Sequence, residues 1–315
     1  MKLSGRKILI TGGAGFIGSH LSETLAKNNR VVVYDNFSSS VISSKDIPGV
    51  RFIRGDILDE KKLIRAMRGV DVVFHLAVAC VRLSLSEVQH VHEVNSTGTL
   101  TTLLSATKSH VKRFIYISSS EVYGGTDKSK ISENHPIKPT TVYGISKYQG
   151  ELYTKLLPSI IIRPFNAYGP RSHFEGVCGE VIPRFVIRTL AGLPPIIFGD
   201  GNQTRDFTYV SDTVSGIIKA AQSDKLLGSV INIAYGREIS IRRTASIISP
   251  LKPIHRAARP LDVHRLAADI RLAKKMIGYK PRIAIDEGLA RYISWVKKTV
   301  PNPKKLLSKI PDTNW

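Results

Sequence analysis

Short apolar runs rich in β-branched residues alternate with amphipathic stretches along the first half of the chain, and this alternation restricts the fold more than any other feature. Six apolar runs lie at 7–10, 31–34, 51–54, 70–76, 113–117 and 160–162. Apolar residues recur at helical spacing at 16–28, 59–68, 94–109 and 143–156. Continuous apolar strands separated by helices are typical of a parallel sheet covered on both faces. The sequence therefore predicts an α/β fold with a doubly wound parallel sheet.

The composition changes near residue 165. Glycine and proline become denser, and the strict alternation of strand and helix is lost. We predict a division into a sheet domain at 1–165 and a smaller C-terminal α/β lobe at 166–315, interleaved with the first domain. No apolar run reaches the roughly 18–20 residues that span a bilayer, so we expect a cytoplasmic protein without membrane contact.

A glycine-rich turn follows the first apolar run and opens a predicted helix. Gly13, Gly15 and Gly18 satisfy G-x-G-x-x-G, and Gly12 begins the variant G-x-x-G-x-x-G. Such glycines allow the backbone to approach a pyrophosphate, whose charge then lies at the helix N-terminus. Asp35 follows the second strand, where a carboxylate accepts hydrogen bonds from ribose hydroxyls and repels a 2′-phosphate. The pattern predicts a Rossmann domain that binds NAD rather than NADP.

Tyr143 and Lys147 stand four residues apart in a predicted helix. This spacing places the phenol and the ammonium group on one helical face. A nearby cation stabilises phenolate, so we expect Lys147 to lower the pKa of Tyr143 and to make it a usable general base. Taken alone this spacing is common by chance, but its position in a strand–helix unit favours a catalytic role.

With these motifs in this order, the chain resembles the extended short-chain dehydrogenase/reductase family in its NAD-dependent sugar-nucleotide epimerase/dehydratase branch. The similarity runs from about residue 6 to about residue 285. The segments that carry it are the glycine loop 11–18, Gly55-Asp56-Ile57, His75-Leu76-Ala77-Val78, Asn95, the segment 118–124, Tyr143 with Lys147, and the segment 163–170.

The resemblance implies the residues of the site. Catalysis is assigned to Ser119, Tyr143 and Lys147. The cofactor is expected to contact Gly12, Gly15, Phe16, Ile17, Asp35, Asn36, Asp56, Ile57, Leu76, Ala77, Val78, Asn95, Tyr143, Lys147 and Pro164. A nucleotide-sugar, with UDP as the family expectation, is expected to contact Ser119, Ser120, Glu121, Tyr143, Asn166, Val181, Arg205, Arg259 and Asp262. No metal is expected. Leu266 falls where some hexose epimerases carry a tyrosine that narrows the sugar pocket.

The same resemblance implies oxidation at sugar C4 as the first step, with three reactions open after it. A 4-epimerase needs only Ser119, Tyr143 and Lys147, and this is the preferred prediction. A 4,6-dehydratase needs an Asp-Glu pair after the catalytic hydroxyl, but here the pair is Ser120-Glu121. A UDP-hexuronic acid decarboxylase is the alternative, with Glu121 as a second acid or base. A non-catalytic NAD- or RNA-binding protein is a remote alternative.

Charge and cysteine content set the remaining expectations. The chain carries 46 Lys and Arg against 25 Asp and Glu, a net charge of +21, which attracts anions in general. The basic residues are scattered and form no long run, so no nucleic-acid partner is expected. The two cysteines, Cys80 and Cys178, are predicted to be isolated, buried small apolar residues. A homodimer through the helices near 94–109 and 143–156 is what the resemblance implies.

Overall fold

The computed structural model describes residues 1–126, 130–155, 157–311 and 313. In this part of the chain the strands, in order, are β1 (Lys7–Thr11), β2 (Arg30–Asp35), β3 (Arg51–Arg54), β4 (Val72–His75), β5 (Arg113–Ile117), β6 (Ser159–Pro164), β7 (Ala167–Tyr168), β8 (Ile196–Phe198), β9 (Thr204–Arg205), β10 (Thr208–Tyr209), β11 (Val230–Ile233), β12 (Ile239–Ser240), β13 (Ile254–Arg256) and β14 (Arg265–Leu266). The helices are α1 (Phe16–Ala26), α2 (Glu60–Ala66), α3 (Val88–His92), α4 (Gly98–Lys108), α5 (Val142–Thr154), α6 (Val181–Leu190), α7 (Val210–Gln222), α8 (Ile241–Ile248), α9 (Arg271–Ile277) and α10 (Ile285–Thr299).

Seven parallel strands form the central sheet in the order β11-β6-β5-β4-β1-β2-β3. The strand order reverses between β1 and β4, so the loops after these two strands leave toward opposite sides and open a crevice at the carboxyl edge. This arrangement confirms the predicted doubly wound parallel fold.

Alternate residues of each strand enter opposite apolar layers. Ile8 and Ile10 of β1 lie in the layer formed with α1 and α7, whereas Leu9 lies in the layer formed with α2 and α4. Each of these three side chains is fully buried. Burial of one such side chain contributes about 1.5–3 kcal/mol to stability. Because both faces of the sheet are buried in this way, the apolar runs of its strands are unbroken.

The chain after residue 165 contributes to this sheet as well as to a second apolar cluster. Helix α7 and strand β11 pack in the central layers, and β11 pairs with β6. Helices α6, α8 and α10 surround a separate cluster that contains Phe185 and Leu289. Strand β11 was not predicted, because its four residues include the polar Asn232. The division at residue 165 stays a prediction.

The predicted helix 94–109 is irregular at its start. A π-helical turn occupies Glu93–Thr97 and α4 follows it. The Thr99 hydroxyl donates a hydrogen bond of 2.7 Å to the carbonyl of Asn95 inside this turn. Side-chain hydrogen bonds of this kind compete with the regular helical pattern, and π-turns occur often at functional sites.

Candidate active site

The glycine loop after β1 has a geometry that larger residues would disrupt. Gly12 has a φ of +67°, and a Cβ added there would lie 2.6 Å from the backbone nitrogen of Ala77. A Cβ on Gly18 would lie 2.1 Å from the carbonyl oxygen of Gly12. Helix α1 therefore packs directly against the turn, as close helix–strand packing in a dinucleotide loop requires.

The start of α1 offers free backbone donors to an anion. Gly15 is the N-cap residue and has no side chain that could accept a hydrogen bond from the first turn. The first N–H groups of a helix lack intrahelical partners, and the helix dipole adds positive potential there. The loop is thus suited to a pyrophosphate group.

Asp35 is tied to the glycine loop. It ends β2, and its carboxylate accepts hydrogen bonds from the backbone of Ala14 at 2.9 Å and of Phe37 at 2.8 Å. Asp56 follows β3, and its carboxylate accepts a hydrogen bond from the backbone of Leu58 at 2.9 Å. Both carboxylates are held in place at the carboxyl edge of the sheet, on the side where a ribose and a base would follow the pyrophosphate.

A single cleft of 580 Å³ joins the glycine loop to the predicted catalytic residues. The predicted site residues that line it are Gly12, Gly15, Phe16, Ile17, Asp35, Asn36, Asp56, Ile57, Leu76, Ala77, Val78, Ser119, Ser120, Glu121, Tyr143, Lys147, Pro164 and Asn166. The glycine cradle, the Asp35 carboxylate and this cleft together fit NAD.

Asn95 lies beneath the cleft wall rather than on it. Its side chain is fully buried. Its amide oxygen accepts a hydrogen bond from the nitrogen of Ala79 at 2.8 Å, and its amide nitrogen donates one to the carbonyl of the same residue at 3.1 Å. Asn95 therefore fixes the loop after β4, which does line the cleft.

Helix α5 presents the predicted catalytic pair. The Thr141 hydroxyl caps the helix by accepting a hydrogen bond from the nitrogen of Gly144 at 3.1 Å. The Ser119 hydroxyl accepts a hydrogen bond of 3.1 Å from the nitrogen of Glu121 and lies close enough to Tyr143 to oppose the rise in the pKa of the phenol. The backbone thus orients Ser119, which in turn positions the phenol.

Burial shifts the pKa values of both members of this pair. Burial raises the pKa of Tyr143, although the hydrogen bond from Ser119 opposes this shift. The Lys147 ammonium is buried and lies 4.4 Å from the ring centroid of Tyr116. Burial lowers the pKa of Lys147 to about 7, with the Glu151 carboxylate opposing. Loss of hydration dominates at both groups, so the pKa of Tyr143 is raised on balance, and the expected activation of the phenol by Lys147 stays a prediction.

Glu121 faces charged side chains from distant segments. It is half-buried, and loss of hydration raises its pKa against the opposing field of Arg205, Arg82 and Arg259. Arg205 donates a hydrogen bond of 2.6 Å to the carboxylate of Asp262. Burial and the neighbouring arginines lower the pKa of Arg259 to about 10. The predicted residues Arg205, Arg259 and Asp262 are therefore gathered beside Glu121, although they do not line the cleft.

Arg82 is a member of this cluster that the sequence analysis missed. It lies on the 3₁₀ turn Val81–Leu85 and lines the cleft. Within the described residues, its buried Nε has no hydrogen-bond partner. A lone arginine in a loop forms no recognisable motif, so only the fold reveals it.

Two other positions singled out in the sequence lie outside the cleft lining, and one that was not singled out belongs to it. Val181 begins α6 and packs against the cluster of the C-terminal half, outside the residues that line the cleft. Leu266 is fully buried in an apolar cluster with Val122 and Tyr123, so it does not line the cleft. The missed Glu180 does line it, and burial raises the pKa of Glu180 to about 7.

The prediction for the cysteines was wrong. Cys80 and Cys178 are half-buried free thiols, and both line the cleft. The sequence could not show that the fold brings them together. Within the described part of the chain, no group of three or more His, Cys, Asp or Glu side chains could hold a metal ion, and no helix is long and apolar enough to span a membrane.

Comparison with known proteins agrees with this geometry. The family model described as the NAD dependent epimerase/dehydratase family matches residues 8–234. A putative UDP-glucose 4-epimerase of Methanocaldococcus jannaschii is 36% identical over 92% of this chain and 98% of its own length. A UDP-N-acetyl-alpha-D-glucosaminuronate decarboxylase of Bacillus cytotoxicus is 35% identical, with 93% and 98% covered.

A solved UDP-N-acetylglucosamine 4-epimerase of Methanobrevibacter ruminantium, in complex with UDP-N-acetylmuramic acid, superposes with a TM-score of 0.88 at 31% identity. The superposition covers 94% of this chain and 100% of the solved chain. These matches extend over almost the whole of both partners in each comparison. The chain belongs to the NAD-dependent epimerase/dehydratase family of enzymes.

Proposed function

We propose that this enzyme interconverts two C4 epimers of a UDP-sugar through a transient 4-keto sugar. The observation that carries the proposal is that Ser119, Tyr143 and Lys147 line one cleft that is continuous with the glycine loop. The similarity to proteins named as 4-epimerases supports the same reaction.

Three residues have separate roles in the oxidation at C4. Tyr143 takes the proton of the C4 hydroxyl, and Ser119 holds the same oxygen in place by a hydrogen bond. NAD, when bound, would supply reversible hydride transfer from and to the C4 carbon. Lys147 favours the phenolate when it is protonated, since a cation stabilises an adjacent anion. Rotation of the keto sugar between the two transfers would then give the other epimer.

The nucleotide end of the substrate is assigned to the arginine cluster. Guanidinium groups bind phosphate oxygens in a bidentate manner, so Arg205, Arg259 and the unsatisfied Arg82 suit a diphosphate. The amide oxygen of Asn166, which lines the cleft, is buried and has no partner among the described residues. A donor on the substrate would satisfy it.

Decarboxylation of a UDP-hexuronic acid is the second candidate. Glu121 lines the cleft, and loss of hydration raises its pKa, a shift in the direction that favours an acid role. The similarity to a decarboxylase supports it. Dehydration is disfavoured because Ser120 stands where an aspartic acid would be required.

A product assay separates these reactions. The purified enzyme is incubated with NAD and, separately, with UDP-glucose, UDP-N-acetylglucosamine and UDP-glucuronic acid, and the products are resolved by anion-exchange chromatography. A C4 epimer without net NADH is expected. A UDP-pentose formed from UDP-glucuronic acid would instead identify the enzyme as a decarboxylase that uses Glu121. No turnover, together with salt-sensitive retention on RNA, would favour the non-catalytic alternative.

A homodimer through α4 and α5 completes the proposal. Leu104 of α4 and Ile145 and Leu152 of α5 are 44–46% exposed. Apolar side chains grouped on two adjacent helices are typical of an association surface. Light scattering of the wild type and of a Leu152→Glu variant tests it, and a monomeric wild type at assay concentration would contradict it.

A further inference from the structure

The two cysteines of the chain are far apart in the sequence, but the fold brings both of them to the catalytic cleft. Cys80 follows Ala79 and precedes the 3₁₀ turn Val81–Leu85. Cys178 lies in the segment between β7 and α6. Both line the cleft, both are half-buried, and neither is in a disulfide.

Both thiols are carried on backbone that is held by hydrogen bonds. Asn95 binds both the nitrogen and the carbonyl of Ala79, directly before Cys80. On the other side, the nitrogen of Gly179 donates to the carbonyl of Gly176 at 3.3 Å, and that of Glu180 donates to the carbonyl of His173 at 2.9 Å. The backbone around each cysteine is therefore fixed, and both residues line the same cleft as free thiols.

The surroundings make the two thiols unequal. The Cys178 thiol donates a hydrogen bond to Cys80, and this lowers the pKa of Cys80 to about 6, with Arg82 and nearby backbone groups adding to the effect. The same hydrogen bond raises the pKa of Cys178. Thiolates are the reactive form of cysteine. Cys80 is thus suited to react first and Cys178 to react second.

We propose that Cys80 and Cys178 are a redox modification site, at which a peroxide forms a reversible disulfide across the catalytic cleft. The Cys80 thiolate attacks the peroxide O–O bond, which breaks to give a sulfenic acid and, after protonation, one water. The Cys178 sulfur then displaces hydroxide from the sulfenic sulfur, forming the S–S bond and a second water. The two thiols lose two electrons and two protons, and hydrogen peroxide accepts them. A dithiol reductant reverses the step by thiol–disulfide exchange.

The disulfide would stop turnover by its position. Cys80 lies close enough to Tyr143 to influence the pKa of the phenol electrostatically. A bond from Cys80 to Cys178 would join the loop after β4 to the segment before α6 beside this phenol. The bond would prevent these two segments from separating, so a substrate that must enter the cleft and rotate in it would be excluded.

Peptide mapping tests the chemistry independently of any activity. The full-length enzyme is treated with a small molar excess of hydrogen peroxide, alkylated and digested without reductant. Because the chain has only two cysteines, an intramolecular disulfide must join Cys80 to Cys178, and the expected product is that cross-linked peptide pair. Recovery of both cysteines as free thiols, as separate sulfinic acids or only as intermolecular disulfides would overturn the proposal.

A matched variant and an activity measurement complete the test. Cys178→Ser should give no cross-linked pair and should leave Cys80 with added oxygen, which establishes the order of attack. Turnover of the oxidised wild type should fall to about a tenth or less of that of its own reduced sample and return with dithiothreitol. A complete disulfide with unchanged turnover would refute the closure. If the reduced enzyme turns over no UDP-sugar, the proposed function fails while the peptide map still decides the disulfide.

Discussion

The cleft has two halves that are built in different ways. The cofactor half consists of the glycine loop, Asp35 and Asp56, which lie at the ends of three neighbouring strands of one sheet. The substrate half is lined by Arg82, Glu121 and Glu180, and arginines from β9 and from the segment before β14 lie behind this lining, beside Glu121. The first half is a local consequence of strand–turn–helix geometry, whereas the second depends on the path of the whole chain.

Electrostatics differ between the halves for the same reason. Backbone donors hold the Asp35 and Asp56 carboxylates, so these charges are satisfied before any ligand binds. The substrate half retains an unsatisfied guanidinium nitrogen on Arg82, and burial raises the pKa values of Glu121 and Glu180. The cofactor half is therefore preformed for its ligand, whereas the substrate half contains polar groups that become paired only when a ligand binds.

The largest effect is expected where the two halves meet. Tyr143→Phe should lower kcat by about 10³-fold, because it removes the group that exchanges the substrate proton. Binding of NAD and of the UDP-sugar should change little, since the ring and its packing remain. Steady-state kinetics with isothermal titration measure both, and a kcat within a few-fold of the wild type would remove Tyr143 from the mechanism.

A substitution confined to the cofactor half should act on folding and on NAD alone. Gly18→Ala places a methyl group 2.1 Å from the Gly12 carbonyl oxygen, whereas Gly15→Ala meets that same oxygen at 3.4 Å, an ordinary contact. We expect Gly18→Ala to reduce the free energy of unfolding by about 2 kcal/mol and Gly15→Ala to leave it nearly unchanged. Urea unfolding of both variants provides the comparison, and equal stabilities would show that α1 does not pack as described.

A substitution confined to the substrate half should leave NAD binding untouched. Arg82→Ala should raise KM for the UDP-sugar by about tenfold, equivalent to roughly 1.4 kcal/mol, through loss of a charge-assisted contact. The exposed Arg243 provides a control of equal charge, since Arg243→Ala should change neither the KM for the UDP-sugar nor the affinity for NAD. An equal rise in KM for both variants would indicate that the overall positive charge, rather than Arg82, attracts the substrate.

The smallest effect is a pair of opposite pH dependences. Burial lowers the pKa of Lys147 from 10.5 to about 7, so the unfolded chain binds the additional proton between these values and stability rises with pH there. Burial raises the pKa of Glu180 from 4.5 to about 7, so the folded chain binds the additional proton and stability falls as pH rises through that range. Each contribution is at most about 1.4 kcal/mol per pH unit.

Unfolding by urea between pH 5 and pH 9 measures these contributions by difference. Glu180→Gln should remove the falling contribution below pH 7, and Lys147→Met should remove the rising contribution above it. Each variant is compared with the wild type at the same pH, which cancels the other titrating groups. Unchanged slopes in both variants would contradict the burial of these two groups.

Much of the cofactor half could be predicted from the sequence because each part of it is local. An apolar run, a glycine turn and an amphipathic stretch identify β1, the loop and α1, and the carboxylate after β2 follows at a fixed distance along the chain. The spacing of Tyr143 and Lys147 placed both residues in the cleft, but their pKa values depend on hydration that spacing does not describe. Asn95 was recognised by resemblance, while its contact with Ala79 came only from the fold.

By itself the sequence determined the sheet, the dinucleotide loop and the family, because periodicity and turn chemistry act between residues that are near in the chain. Only the tertiary structure placed β11 beside β6, Arg82 and Glu180 in the cleft, and Cys80 beside Cys178. The physical reason is that these neighbours are distant in sequence. Their proximity is set by the packing of whole layers, and the loss of water in that packing then sets their charge and reactivity.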